Sequence, residues 1–135
     1  MEEKRELVVL YIQPGRYPEC RVIEDTVPAL QAAVGGTFQV VYPWREEVAL
    51  VCHDEGKLLG LPLNRPLENY DILAGNFFLC GLEGEGFCSL TADQMDRYED
   101  KFHDPMLFFR TGKGIACRPC TPEEYDRAHS SRARG

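Results

Sequence analysis

The chain has 135 residues, 44% hydrophobic and 27% charged, with 22 Asp and Glu against 15 Lys and Arg and a formal charge of -7. That length fits one domain able to bury a real core. The acidic balance speaks against sequence-independent nucleic-acid binding, which rewards Lys and Arg. No apolar run approaches the ~20 residues that a bilayer span needs. The start, MEEKRELVVLYIQPG, is too charged and its apolar run too short for a secretory signal. A soluble, cytoplasmic protein with no membrane partner is therefore expected.

Residues 1–6 are charged and expected to fray, whereas 7–12 form a continuous apolar, β-branched run that reads as a buried strand. Gln13-Pro14-Gly15-Arg16 has Pro and Gly where a type II turn needs them. Residues 20–24 return as a second strand. Asp25 or Thr26 caps a helix over Val27–Val34 whose first turn accepts Pro28 and whose apolar face is Val27, Leu30 and Val34. Gly35-Gly36 stops it. Strands follow at 37–42 and Val48–His53, then a polar turn at 54–57 and a return strand at 58–61. Two prolines exclude regular structure from 62–66, and a last strand is built from 72–73 and 76–80 with Gly75 as a bulge.

From residue 81 the texture changes. A glycine- and glutamate-rich loop at 81–86 leads to a capping box, with Thr91 as cap, Gln94 three residues on, and Leu90 and Met95 spaced as a hydrophobic staple. That helix runs to about Lys101, presents Met95, Tyr98 and Phe102 on one side, and ends before Pro105. Residues 106–109 read as a strand, Thr121-Pro122-Glu123-Glu124 starts a short final helix, and 129–135 reads as disordered or partner-dependent. The fold class expected is α+β. A hairpin, a crossing helix and further strands form one mixed, β-grasp-like sheet, with a second packed helix and an additional C-terminal helix. The organisation expected is a single domain over 1–135, with a sheet-and-helix core at 7–81, a helical cover at 82–128 and a tail at 129–135.

The segments LVVLYIQPG, LQAAVGG, FQVVYP, VCHDEGKLLGLPLNR and DILAGNFFLCG, and later CSLTADQMDRYEDKF, resemble in order and spacing a small family of unknown function. Its members are carried by bacteria, phages and conjugative elements. The resemblance covers most of 7–109 and does not reach past about 112. It implies no activity, cofactor or catalytic residue. In one place the chain departs from the family pattern, with His53 where Asn is expected.

The residues themselves offer a few candidate sites. Asn64 and Arg65, with Lys57, can form a polar clasp for a carboxylate or phosphate, Arg65 in bidentate fashion; as structural residues they would instead satisfy nearby carbonyls. His53 beside Asp54 and Glu55 has the residue types of a base or metal ligand, but three contiguous turn residues cannot all point to one centre. Glu83, Glu85, Asp93, Asp96, Glu99 and Asp100 form an acidic set that reads either as a charge mimic or as a solvated face. Ser89 and Thr91 lack a neighbouring base and are read as caps.

The six cysteines at 20, 52, 80, 88, 117 and 120 read as reduced thiols. Cys117 and Cys120 form the one CxxC, but a zinc site needs about four ligands and no second pair has finger-like spacing; only Cys80 and Cys88, if the fold brought them there, would complete one. No cofactor and no metal is expected, and no catalytic residue is assigned. Two functions stay open. One is a non-enzymatic binding protein, an accessory of a mobile element acting on a host protein. The other is a small-ligand binder, for an anion or nucleotide, or a weak enzyme, using the Asn64/Arg65 loop.

Overall fold

The computed structural model of the chain describes residues 5–68 and 71–134. The expected fraying at 1–4, residues 69–70 of the ENYD insert and the last residue of the tail lie outside the described residues. In chain order the elements are β1 (Glu6–Ile12), β2 (Glu19–Glu24), α1 (Val27–Val34), β3 (Phe38–Val41), β4 (Val48–His53), β5 (Leu63–Leu67), β6 (Asp71–Ala74), β7 (Phe77–Glu83), β8 (Gly86–Cys88), α2 (Ala92–Lys101), β9 (Met106–Thr111), β10 (Gly114–Pro119) and α3 (Pro122–Arg134).

The main sheet follows from period-two alternation in strands that are apolar on both faces. Its order is β2-β1-β7-β4-β3, with β8 paired to the far end of β7. Leu7, Val9 and Tyr11 of β1, Ala49 and Val51 of β4, and Phe78 and Cys80 of β7 point to one side, under Leu30 and Val34 of α1. Leu10, Ile12, Val48, Leu50, Phe77 and Leu79 point to the other, where Leu73, Tyr98 and Phe102 cover them. Every position of β4 is buried. Each fully buried Leu, Val or Phe of this kind is worth about 1.5–3 kcal/mol in transfer free energy.

Local signals set the helices. Ala29 N–H donates to Thr26 Oγ1 at 3.3 Å, and Gly35, at φ 85°, donates its N–H to Gln31 O at 2.9 Å. Leu30 and Val34 carry the packing of α1, while Val27 in the first turn is exposed. The Thr91–Gln94 capping box is formed in both directions, and Tyr98 and Phe102 are buried. Ser89 is not a cap: its Oγ accepts the Val8 N–H at 2.8 Å, and Leu90 N–H donates to Val8 O at 3.0 Å, so this stretch continues the pairing of β1.

The expectation of a single mixed sheet is corrected. The described strands form three sheets, β5 with β6 and β9 with β10 standing apart from the main one, and every pairing between them is antiparallel. The physical reason lies at Gly75, at φ 81°, whose N–H donates to Pro62 O at 2.7 Å. The chain turns there, so 72–73 goes to β6 and 77–80 to β7. Two further expectations change. Residues 58–61 make turns rather than a strand, closed by Leu59 N–H to Glu55 O and Leu61 N–H to Gly56 O, each at 2.9 Å. Residues 63–67 are a strand despite Pro66, because both strands of a two-stranded ribbon are edges and an edge tolerates a missing donor. Beyond α2, the expected cover contains the β9–β10 hairpin, and α3 is longer than the short final helix expected, reaching Arg134. No helix among the described residues is long and apolar enough to cross a membrane.

Candidate functional site

Asn64 and Arg65 are both fully buried. Neighbours in a regular strand face opposite sides, but the β5–β6 register shifts between Leu63 and Arg65 and breaks that alternation. Asn64 Nδ2 donates to Ile12 O at 3.1 Å and Gly75 O at 2.8 Å, joining the end of β1 to the turn before β7. Arg65 Nε donates to Phe102 O at 3.0 Å, Nη1 to Asn64 Oδ1 at 3.0 Å, and Nη2 to Arg16 O at 2.6 Å. Phe102 is the C-cap of α2, so the cation also sits at the negative end of that helix. Each of these acceptors is a neutral amide oxygen. Burial pulls the guanidinium down from its ordinary value to about 10, against the nearby Cys120, Asp104 and Tyr125. It stays charged at neutral pH, and its donors tie three segments of the chain together, β5, the β1–β2 turn and the C-cap of α2.

Lys57 does not join this pair. Its ammonium is on the Asp71 carboxylate at the surface, and that hydrogen bond holds Asp71 below the usual carboxylate range. Glu68 is taken by Lys101 and the Trp44 indole. His53 accepts the Glu55 N–H on Nδ1 at 2.9 Å, and a Cβ at Gly36 would lie 2.6 Å from its Nε2, so the ring fills a space left by glycine. Asp54 and Glu55 are exposed. In the acidic set, Glu83 pairs with Arg5 at 3.7 Å, Asp93 with Arg97 at 2.9 Å and Glu99 with His103 at 2.8 Å.

The cysteines do not form a metal cluster. Among the described residues no three His, Cys, Asp or Glu side chains are grouped to hold an ion. Cys117 lies on β10 and Cys120 is buried just after it; all six thiols are free. Burial pushes Cys80 up to about 12, with Cys88 as a further cause. No buried side-chain nitrogen or oxygen among the described residues lacks a hydrogen-bond partner. Asn64 and Arg65 are thus used up internally, and Lys57 is paired at the surface.

A different feature stands open. A cleft of about 560 Å³ runs between residues 61–63, the β9–β10 hairpin and α3, lined by Leu61, Pro62, Leu63, Phe108, Phe109, Arg110, Ile115, Tyr125 and His129. It continues across Leu61, Pro62 and Tyr125 into a second cleft of about 490 Å³ lined also by Gln13, Arg16 and Asn76. The wall formed by α3 is docked on the β1–β2 turn. The Tyr125 ring lies where a Cβ at Gly15 (φ 74°) would be 2.2 Å from Cδ1, so only glycine fits there on both counts. Arg16 pairs with Asp126 at 3.0 Å, and His129 stacks on Tyr125 with ring centroids 4.0 Å apart. Sequence reasoning missed this cleft. Its signals were apolar residues in the hairpin, Phe109 and Ile115, which end up half-exposed. A charge shift goes with it. Residues 106–135 carry six Lys and Arg against three Asp and Glu, whereas 1–105 carry nine against nineteen.

Residues 5–103 match the family described as a domain of unknown function, DUF3846, and the chain belongs to that family. No curated protein and no solved structure matches it. The matched segment stops next to the C-cap of α2, so the β9–β10 hairpin and α3 lie outside it, and the cleft lies at the junction of the two.

Proposed function

We propose that this member of the DUF3846 family is a soluble, cytoplasmic, non-enzymatic protein-binding module, an accessory of a mobile element. The observation that carries the reading is the apolar junction cleft, with Phe109 45% and Ile115 49% exposed on its wall. Exposed apolar surface grouped in a concavity and rimmed by charge is what a protein partner covers. The single acidic domain, with its tail, serves as the scaffold that presents this cleft, and the β1–β2–α1 start supports reading that scaffold as β-grasp-like. The alternative, an anion or nucleotide held by Lys57, Asn64 and Arg65, has less support, because Nε, Nη1 and Nη2 of Arg65 already donate to carbonyl oxygens and Lys57 is paired with Asp71. The test is photo-cross-linking in the producing cell, with a photoreactive phenylalanine analogue in place of Phe109 and, as reference, in place of Val22 on β2. A protein adduct at 109 and none at 22 is the expected result. Absence of any protein adduct at 109 overturns the reading.

A further inference from the structure

We infer that the junction cleft receives the Leu58–Leu59 turn of a second copy of this chain, reciprocally, so that the protein is a two-fold dimer. The inference rests on the cleft being a protein-binding site and names its occupant. The turn is built as a projection. Leu58 is 85% and Leu59 60% exposed, an unusual placement for two adjacent leucines. They are nevertheless held, by Leu59 N–H to Glu55 O at 2.9 Å, by Gly60 N–H to Lys57 O at 3.1 Å and by the ion pair of Lys57 with Asp71. A pre-organised apolar projection loses little conformational entropy on binding.

The cleft matches it in chemistry. Its floor is Leu61, Pro62 and Phe108 and its wall Phe109 and Ile115, with room for two leucine side chains in about 560 Å³. The charges are complementary as well. Asp54 and Glu55 are exposed on the projecting turn, and Arg110 lines the cleft. Projection and receptor lie next to each other, since Leu61 belongs to the cleft and Leu59 is two residues before it. A two-fold axis between them seats both turns at once and leaves no unpaired end, whereas a head-to-tail pairing would leave one turn and one cleft free to propagate.

The test is the mass of the full chain in solution, by light scattering after size-exclusion chromatography and by sedimentation across a dilution series. The expected mass is twice that of the chain, falling to the single-chain mass on dilution. Leu58→Asp with Leu59→Asp, and separately Ile115→Asp, should each weaken association by at least about tenfold while leaving the thermal melt in place, since all three side chains are exposed. Mixing the two variants should restore a dimer with one intact junction, a result that a folding defect cannot give. Arg110→Glu should weaken the dimer and Glu55→Arg in the same chain should recover part of the loss. A single-chain mass at every concentration overturns the proposal, as does a dimer indifferent to both apolar variants or a failure to complement on mixing. If the chain is monomeric but the cross-linker at 109 still captures a different protein, this proposal falls and the binding-module reading stands; if it captures no protein, both fall.

Discussion

The main sheet and the β9–β10/α3 unit sit in one chain but are held by different physics. In the sheet, β4 is buried at all six positions and the cores on its two faces are apolar. In the β9–β10 hairpin no position is fully buried, and the unit is fastened by discrete contacts, Tyr125 on Gly15 and Asp126 on Arg16. Burial is non-directional and fills the space between packed side chains, so the two cores of the sheet are closed. Point contacts fix a position without filling the volume between them, and a cleft remains. The family match divides the chain at nearly the same place as the physics, ending at residue 103.

The contrast is sharpest in core truncations. Phe78→Ala should destabilise the full chain by about 3–5 kcal/mol and Leu30→Ala by about 2–5 kcal/mol in denaturant titrations. Measured at dilutions where the chain is single, Phe109→Ser and Ile115→Ser should stay within about 0.5 kcal/mol of the parent. Comparable losses in both sets would erase the distinction. Arg65→Ala comes next, with an expected loss of about 1.5–3 kcal/mol, the scale of a hydrogen bond from a charged group. Arg65→Lys should recover little of it, because an ammonium cannot reach three separately placed oxygens as the guanidinium fork does. A neutral Arg65→Ala would remove the buried cation from any account of stability.

Tyr125→Ala is smaller in global terms. Amide protection in α3 should fall while that of β4 and β7 stays as it was, because the docked unit can open alone; a uniform fall would show one cooperative whole. Smallest is the thiol chemistry. At about pH 8, alkylation of the native protein should mark the exposed Cys20 and spare Cys52 and Cys80, whose thiols burial holds neutral. The sign for stability follows. Cys80 is raised in the folded state from 9.0 to about 12, so its contribution is full below the ordinary thiol range and is lost as pH rises toward the folded value. Denaturant midpoints should therefore decline across that alkaline window, and less so in Cys80→Ala.

What was legible in the sequence was local. Thr26, Pro28 and Gly35 mark both ends of α1, and Thr91 with Gln94 marks the start of α2, because each signal and its effect lie within one helical turn. β4 was legible to the residue, since a β-branched apolar run between polar turns has one reading. What stayed hidden depends on partners far along the chain. Pro62 and Pro66 masked β5, whose pairing with β6 is a tertiary fact. The burial of Asn64 and Arg65 runs against the usual exposure of such residues, and all but one of the acceptors described are backbone carbonyls, which every residue has and which no pattern advertises. The choice between a ligand clasp and structural residues was visible, but not the atoms that Arg65 touches. The cleft was hidden for the same reason, being a space between units that no single segment encodes.

The long reach of the Asn64–Arg65 junction bears on the order of events when the chain folds. Its hydrogen bonds span 52 positions to Ile12, 49 to Arg16 and 37 to Phe102. Closing loops of that length is costly before other contacts hold the ends together, and a guanidinium still in contact with water has little to gain from a lone carbonyl. The junction therefore closes after the rate-limiting step, when β1, β5 and α2 are already side by side. Its energy then falls almost wholly on the unfolding rate: removing Arg65 leaves the speed of folding nearly untouched and shortens the lifetime of the folded state.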